Sequence, residues 1–407
     1  MDRPQRLHYL DFTRGMMMLL GVVVHASHAD YDLGRYEWLR FFSGSFRMAC
    51  FFVISGYFAP MLLERHGTRG FLGKRLVVLG VPALFAVLIL NPPAIAAIWT
   101  YFGTAPVPTE PTINWHVHVW FLFVLMAYMC ATPLLLRLLS PLSSRARADG
   151  SGRLEALVLV LVTALAGVGL KLVEKLGTSF SDYDLYAGVV EPIFANLPFF
   201  VLGILMRRSR AVFDWVHSKP WLWAGCAVLL LVARHSAEQV AIKSTIEHLA
   251  HLGVDFACGF TCSFALLGLA QRAIKGPRRW VELVSESAYT VYIVHYLVIA
   301  WVLVLAERWG LSVPVRALAA AILATAVGFG AHIGLVRRVR LAAFLLNGRL
   351  PERSESPAPA ALPKAAASAL VLASNPLAAA VETMTNARGE AGPEVAASVA
   401  PRTDIAS

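Results

Sequence analysis

The 407 residues are 57% hydrophobic and only 15% charged, with a mean hydropathy of +0.61. Ordinary soluble domains are about 45–50% apolar and about 25% charged, so the composition excludes a typical soluble protein and indicates a membrane protein. The formal net charge of +10 is compatible with nucleic-acid binding only if the basic residues form one patch, and they do not.

Ten runs of about 20 mostly apolar residues are long enough to cross a hydrocarbon core of about 30 Å. They lie near residues 9–27, 39–62, 76–99, 116–139, 154–172, 190–207, 220–236, 250–271, 288–306 and 314–336. With the N-terminus inside, the inner segments carry 22 Lys and Arg residues and the outer segments carry 7. This positive-inside bias predicts an all-α polytopic membrane protein with about ten transmembrane helices, both termini cytoplasmic and no nucleic-acid partner.

Two domains are expected from the change in composition along the chain. Residues 1–345 should form the ten-helix membrane domain, and residues 346–407 a disordered, cytoplasmic tail rich in Ala, Pro and Ser. The five cysteines all lie in apolar segments, and none has a second Cys or His pair at metal-site spacing. We therefore predict no metal.

The first apolar run, RLHYLDFTRGMMMLLGVVVHAS (residues 6–27), contains three ionisable groups. Arg14 and His25 are eleven residues apart, close to three helical turns, so both project from one helix face about 16 Å apart along the axis. Asp11 can pair with Arg14 at i,i+3. Taken alone, Arg14 could snorkel to the headgroups and His25 could cap a helix end, but together on one stripe they favour a polar site.

Other polar residues within the predicted spans fall into two layers. The outer layer contains Arg47, His118, Glu191 and Asp255, with His295 near the middle of its span. Histidines and carboxylates of this kind can transfer protons. The inner layer is basic and can hold phosphates or can simply signal topology; it contains Arg14, Arg75, Arg207, Arg208, Lys275, Arg278 and Arg279.

Several motifs together resemble acyltransferase family 3 of integral membrane proteins, and within it the glucan biosynthesis protein C branch. The matching stretches are YLDFTRGMMMLLGVVVHAS with its Arg-x10-His spacing, SFRMACFFVISGYFAPML (45–62), GKRLVVLGVPAL (73–84), HVWFLFVL (118–125), NLPFFVLGIL (196–205) and SAYTVYIVHYLVI (287–299). The resemblance covers residues from about 6 to 340. Two positions depart from the family pattern: Val78 stands where a second Arg often follows Arg75, and Tyr296 where the glucan branch often has a second His.

The resemblance implies an O-acyltransferase that moves a succinyl or acetyl group from cytoplasmic acyl-CoA to a hydroxyl of an extracytoplasmic carbohydrate, such as a periplasmic glucan. It implies a multi-pass protein of a bacterial-type inner membrane, whose partners are the lipid bilayer, acyl-CoA and the carbohydrate acceptor. Acyl-CoA would be a co-substrate, and no cofactor would be bound permanently. His25 matches the family's essential histidine, and Arg14 its partner in the motif.

A catalytic arrangement follows as a hypothesis. His25 would act as general base on the acceptor hydroxyl, and Arg47 would stabilise the thioester oxyanion. Arg14 and Arg75 would bind the donor. The remaining substrate-site candidates are His118, Glu191, Asp255 and His295, of which either carboxylate could orient the His25 imidazole.

Two other functions stay open. A transporter or exporter of glycans without acyl-transfer chemistry would also have about ten spans and buried charges; a break of the third span at ILNPPAIA (89–96) would suit it. The other is an acetyltransferase that acts on a lipid-linked sugar or another polymer.

Overall fold

The computed structural model describes residues 7–29, 34–103, 115–149, 152–177, 186–239 and 244–349, with the backbone alone for 141–149, 177, 186 and 187. Within these ranges the chain is helical and has no β-strand. The helices are α1 (His8–Ala26), α2 (Glu37–Phe85), α3 (Asn91–Gly103), α4 (Trp120–Asp149), α5 (Arg153–Gly177), α6 (Glu191–Arg208), α7 (Arg210–Ser218), α8 (Pro220–Glu238), α9 (Thr245–Ala273), α10 (Arg279–Arg308), α11 (Val313–Ala331) and α12 (Arg340–Asn347). Most of the predicted tail, residues 350–407, lies outside the described residues.

Seven stretches of the described chain are long and apolar enough to cross a bilayer. They are Glu37–Gly103, Val117–Ser140, Arg153–Leu176, Gly188–Arg208, Thr245–Ala273, Arg279–Arg308 and Val313–Val336. The helices α7 and α8, bent by 72° at their junction, make an eighth if they count as one broken span. The protein is therefore an all-α, multi-pass membrane protein, as predicted.

The predicted count of about ten spans is not confirmed, for two physical reasons. The first run, which forms α1, contains Asp11, Arg14 and His25 and is not among the seven stretches. The second reason is that Glu37–Gly103 counts as one stretch of 67 residues, which at 1.5 Å per residue is about 100 Å, three times a hydrocarbon core. The count of ten, and the cytoplasmic termini, stay predictions.

Gly67 divides this long stretch. Its φ of 63° and ψ of 170° are not helical, and only glycine adopts this combination readily because it has no Cβ. Leu62 before it and Arg75 after it line the same cavity. Gly67 therefore gives the chain a turn between two helical segments that meet at one end of the bundle.

Two wide helical turns precede prolines. A π-turn at Ala86–Leu90 leads into Pro92 and Pro93, and a second at Tyr186–Val190 leads into Pro192. Proline has no N–H to donate to the carbonyl four residues earlier, so the helix widens there. The expected break at residues 89–96 is wrong: α2 continues through the π-turn into α3.

Helices α2 and α6 approach closely at two glycines. A Cβ at Gly56 would lie 2.0 Å from the carbonyl oxygen of Phe200, and a Cβ at Gly203 would lie 2.0 Å from that of Val53. Small residues let helix backbones approach in lipid, where packing drives association. This contact fixes the helix that contains Arg47 in the centre of the bundle.

Gly203→Ala should destabilise the fold, because its methyl group would collide with backbone atoms of α2 that cannot rotate away. We expect a loss of about 1–3 kcal/mol or more, as overpacked cores show, measured as a lower midpoint of thermal unfolding in detergent. Gly167→Ala on α5 is the control, since a Cβ there has no atom within 4 Å. An unchanged midpoint for Gly203→Ala would contradict the close α2–α6 contact.

Candidate active site

Three cavities follow one another along α2. Two of them lie between α1, α2, α4 and α10, and the third lies between α2, α5, α6, α8 and α9. We name each after its polar lining. The arginine cavity, of about 400 Å³, contains Arg14 and Arg75. The histidine cavity, of about 40 Å³, contains His25, His118 and His295. The acidic cavity, of about 610 Å³, contains Glu191 and Asp255.

The order of the cavities can be read along α2. Gly44 and Ser45 line the acidic cavity, Arg47 the histidine cavity, and Ser55 and Leu62 the arginine cavity. From Gly44 to Leu62 the helix rises about 27 Å, close to the thickness of a hydrocarbon core. The three cavities therefore follow one another across most of a membrane.

Neighbouring cavities share their walls. Met18, Phe51 and Phe121 line both the arginine and histidine cavities, and Met48 and Trp120 line both the histidine and acidic cavities. Each pair of neighbouring spaces is therefore separated by side chains that line both of them.

The predicted α1 geometry places its groups in two cavities. Arg14 lines the arginine cavity and His25 the histidine cavity. The Asp11–Arg14 pair is present at 3.7 Å, which confirms that prediction. One continuous helix therefore contributes to both sites.

Imidazole rings cluster in the histidine cavity. The ring centroid of His25 is 5.3 Å from that of His295 and 6.4 Å from that of His118, and the last two are 4.8 Å apart. They come from α1, from the turn before α4, and from α10. The structure thus brings together three predicted candidates from distant parts of the chain.

The tautomer of neutral His295 is set by its backbone contact. Its Nδ1 donates to the carbonyl oxygen of Tyr292 at 2.6 Å, so Nε2 has the free lone pair. That Nε2 is buried and has no hydrogen-bond partner among the described residues. It is available to accept a proton or a hydrogen bond from a molecule in the cavity.

His118 is held by its backbone. The hydroxyl of Tyr292 donates to the carbonyl oxygen of His118 at 2.6 Å, tying α10 to the turn that begins α4. The preceding Val117 has a φ of 45°, an uncommon conformation for a β-branched residue that costs free energy. Both ring nitrogens of His118 are buried without a partner in the described chain, and the fold holds them towards the same small space.

Arg47 brings a positive charge into the histidine cavity. Its Nε and Nη1 are buried and have no hydrogen-bond partner among the described residues. A Cβ at Gly21 would lie 3.0 Å from Nη1, so glycine at this position leaves room for the guanidinium beside α1. Unsatisfied buried donors of this kind suit an anion that forms in the cavity.

The arginine cavity is basic overall. Arg14, Arg75 and Arg349 line it together with two carboxylates, Asp11 and Glu286. Asp11 is paired with Arg14, and Glu286 forms an ion pair of 2.9 Å with Arg337.

The acidic cavity contains the two predicted carboxylates, apart from His25. Neither Glu191 nor Asp255 lines the histidine cavity. Asp255 accepts from Nε of Arg234 at 2.7 Å, and Arg234 also donates to Ser45 at 2.5 Å. The rings around His25 are those of His28, His118, His295 and Tyr296, and no Asp or Glu of the described chain lines the histidine cavity beside it.

Sequence reasoning missed four residues near these cavities. They are His28, which stacks on His25, Tyr292, Tyr296, and Arg349. A helical projection could have found Tyr292, three residues before His295 on the same face. In the described chain no three His, Cys, Asp or Glu side chains form a metal-binding group, and the absence of a metal stays a prediction.

Comparison with known proteins agrees with this architecture. Residues 7–333 match the family model described as "Acyltransferase domain", that of acyltransferase family 3. The chain therefore belongs to this family of membrane-embedded acyltransferases. No solved structure matches it significantly.

Curated relatives are similar over about half of the chain. Proteins named Glucans biosynthesis protein C from Escherichia coli O1:K1 / APEC, from strain E24377A / ETEC and from strain K12 / DH10B are each 30% identical to it over 230 residues. The matches cover 49% of this chain and 58% of each relative. The similarity thus spans little more than half the length of those proteins.

Gly21→Ala should reduce acyl transfer without unfolding the protein. The added methyl would meet only the mobile end of the Arg47 side chain, which can move at little cost in stability. Displacement of a group that acts on the reacting atoms lowers turnover by about 10- to 100-fold, and we expect a loss of this size for Gly21→Ala, measured in reconstituted vesicles. Gly330→Ala, with open space around its Cβ, is the control, and equal turnover of both variants would show that Arg47 tolerates displacement.

Proposed function

We propose that this protein is a membrane O-acyltransferase that transfers a succinyl or acetyl group from cytoplasmic acyl-CoA to a hydroxyl of an extracytoplasmic carbohydrate. A periplasmic glucan is the proposed acceptor, because the curated relatives carry the name Glucans biosynthesis protein C. The proposed location is a bacterial-type inner membrane. The observation that carries the proposal is the position of His25 in a small chamber between two cavities large enough for ligands.

The arginine cavity is the proposed donor site. At about 400 Å³ it lies within the range of small-molecule sites, and guanidinium groups bind phosphates in bidentate geometry. In the predicted topology, whose inner segments carry most of the Lys and Arg residues, this cavity would face the cytoplasm. Arg14 and Arg75 would bind the nucleotide end, and the acyl chain would point towards His25.

The axial distance supports one donor that reaches both groups. Arg14 and His25 are eleven residues apart on α1, or about 16 Å. Acyl-CoA carries its phosphates at one end and its thioester at the end of a long arm. A donor held at Arg14 could therefore present its carbonyl carbon in the histidine cavity.

The proposed reaction is a direct transfer between thioester and hydroxyl. His25 removes the proton of the hydroxyl while the oxygen forms a bond to the thioester carbon. The negative charge that develops on the carbonyl oxygen is stabilised by the guanidinium of Arg47. When the C–S bond breaks, the thiolate of CoA takes the proton from the imidazolium of His25, and the ester is left on the carbohydrate.

The chamber has room for little besides the reacting groups. A volume of about 40 Å³ accommodates only a few waters, at about 10–15 Å³ each. Exclusion of water limits hydrolysis of the thioester and strengthens the interaction of Arg47 with the oxyanion. A small chamber thus favours transfer to a sugar hydroxyl over transfer to water.

The acidic cavity is the proposed acceptor site. Its volume of about 610 Å³ suits part of a carbohydrate, and Asn196, Glu174 and Glu191 line it together with the Arg234–Asp255 pair. Carboxylate, amide and guanidinium groups supply the acceptors and donors that sugar hydroxyls need. In the predicted topology this cavity opens on the side away from the cytoplasm.

His25→Ala should abolish most of the transfer, because loss of a general base lowers turnover by about 10²–10⁴-fold. Turnover would be measured with radiolabelled succinyl-CoA and glucan in vesicles. His235→Ala, an exposed histidine of α8 outside the cavities, is the matched control. Near-normal turnover of His25→Ala would reject the base assignment and direct attention to His295.

Arg47→Gln should lower kcat by about 10²–10³-fold with a small change in KM, as expected for a group that acts on the oxyanion. Arg65→Gln, an exposed residue of the same helix, should have no effect. A rise in KM at constant kcat would instead assign Arg47 to substrate binding.

The same vesicles separate the enzyme from a glycan transporter. An acyltransferase consumes the thioester of acyl-CoA only when the carbohydrate is present, and mass spectrometry of the glucan then shows the added acyl group. Movement of glucan across the membrane without thioester loss would overturn the proposal in favour of transport.

A further inference from the structure

The arginine cavity is completed by a segment that lies beyond the family match. The matched residues end at 333, whereas α12 begins at Arg340 and is followed by Gly348 and Arg349. Asn347 and Arg349 both line the cavity. Here the chain adds a third guanidinium to the cavity from outside the matched region.

Close backbone packing holds this segment against α2. Gly348 has a φ of 59°, and its N–H donates to the carbonyl oxygen of Phe344 at 2.8 Å, which ends α12. A Cβ at Gly348 would lie 2.4 Å from the Cα of Val78. Only glycine fits this turn, both for its left-handed conformation and for its contact with α2.

A buried polar network fixes the end of α12 from the other side. The hydroxyl of Thr290 donates to Oδ1 of Asn347 at 2.9 Å, and Nδ1 of His332 lies 2.9 Å from the same hydroxyl oxygen. Since the hydroxyl proton is used by Asn347, His332 is the donor to Thr290. All three side chains are buried, so the position from which Arg349 extends is well defined.

The charges around the cavity leave Arg349 available to a ligand. Asp11 is paired with Arg14, and Glu286 with Arg337. For Arg75 and Arg349 no ion pair with a carboxylate is found in the described part of the chain. Arg349 is exposed, so an anion can reach it from solution.

We propose that Arg349 is a donor-binding residue that contacts a phosphate of the nucleotide end of acyl-CoA. The assignment rests on the proposed function, because it needs an acyl-CoA donor in the arginine cavity. It adds to Arg14 and Arg75 a cation from a separate helix, whose placement depends on Gly348 and on the Thr290–Asn347 hydrogen bond.

The test compares Arg349→Gln with the wild-type protein on three donors: acyl-CoA, acyl-3′-dephospho-CoA, which lacks only the 3′-phosphate, and S-acyl-pantetheine, which lacks the adenosine and every phosphate. A charge-assisted hydrogen bond is worth about 10- to 100-fold in affinity. For acyl-CoA we therefore expect KM to rise by that factor at constant kcat. With acyl-pantetheine, which has no phosphate, the variant and the wild type should have equal KM.

The dephosphorylated donor identifies the phosphate. If Arg349→Gln no longer raises KM with acyl-3′-dephospho-CoA, the contact is to the 3′-phosphate; if the rise persists, it is to the diphosphate. Arg340→Gln, an exposed residue at the start of α12 that does not line the cavity, is the matched control and should behave as wild type on every donor.

Two results would overturn the inference. An equal rise of KM on all three donors would show that Arg349 has a structural role, and no change on acyl-CoA would show that it faces only solvent or lipid headgroups. Thr290→Val should reproduce the phosphate-dependent rise through loss of Asn347 placement, and Thr290→Ser should restore the wild-type KM. Failure of the proposed function is distinct, because the wild-type protein would then consume no acyl-CoA.

Discussion

An ionisable side chain within a bilayer is tolerated only where it meets a polar space or a partner, because hydrocarbon solvates it poorly. Arg14 and His25 impose that requirement twice on one helix. The bundle meets it by enclosing α1 between α2, α10 and α11 and by leaving cavities beside both residues. The site and the fold are therefore consequences of the same constraint, and α1 is the element that connects them.

The three cavities also differ in volume. The two outer cavities, of about 400 and 610 Å³, are of ligand size, and the central one, of about 40 Å³, is much smaller. Aromatic and Met side chains such as Phe51, Phe121 and Met48 form the shared walls. In the proposed reaction, binding energy from the two larger cavities can thus be used to bring a carbonyl and a hydroxyl together in the small one.

Much of the fold could be predicted because apolar runs, prolines and charges are local signals. The α-helical membrane class, the helix that contains Arg14 and His25, and the Asp11–Arg14 pair all follow from period and spacing. The π-turn before Pro92 could not be predicted in this way, because a proline within an apolar run can either break a helix or widen one of its turns. The turn at Gly67 could not be predicted either, because a glycine indicates a turn only when its backbone angles are known.

The site was predicted less completely, because the spacing of residues along the sequence does not show which distant segments come into contact. His118 and His295 share the cavity of His25, but Glu191 and Asp255 line a separate space, where Arg234 binds the latter. Depth in the membrane, which placed all of them in one layer, does not determine lateral position. Arg349 lay in the segment assigned to a tail, because the eight residues of α12 are too few to be recognised as a span and the boundary at residue 346 rested on composition.

The size of the histidine cavity has a consequence for the cell as well as for the reaction. A pathway open from one face of a membrane to the other would conduct protons along its water and dissipate the electrochemical gradient. Here the narrowest region contains imidazoles, which relay protons well, and yet it is walled by Met17, Phe51 and Trp120 and holds at most a few waters. The constriction that would confine the proposed chemistry therefore also limits the water through which protons could cross the membrane.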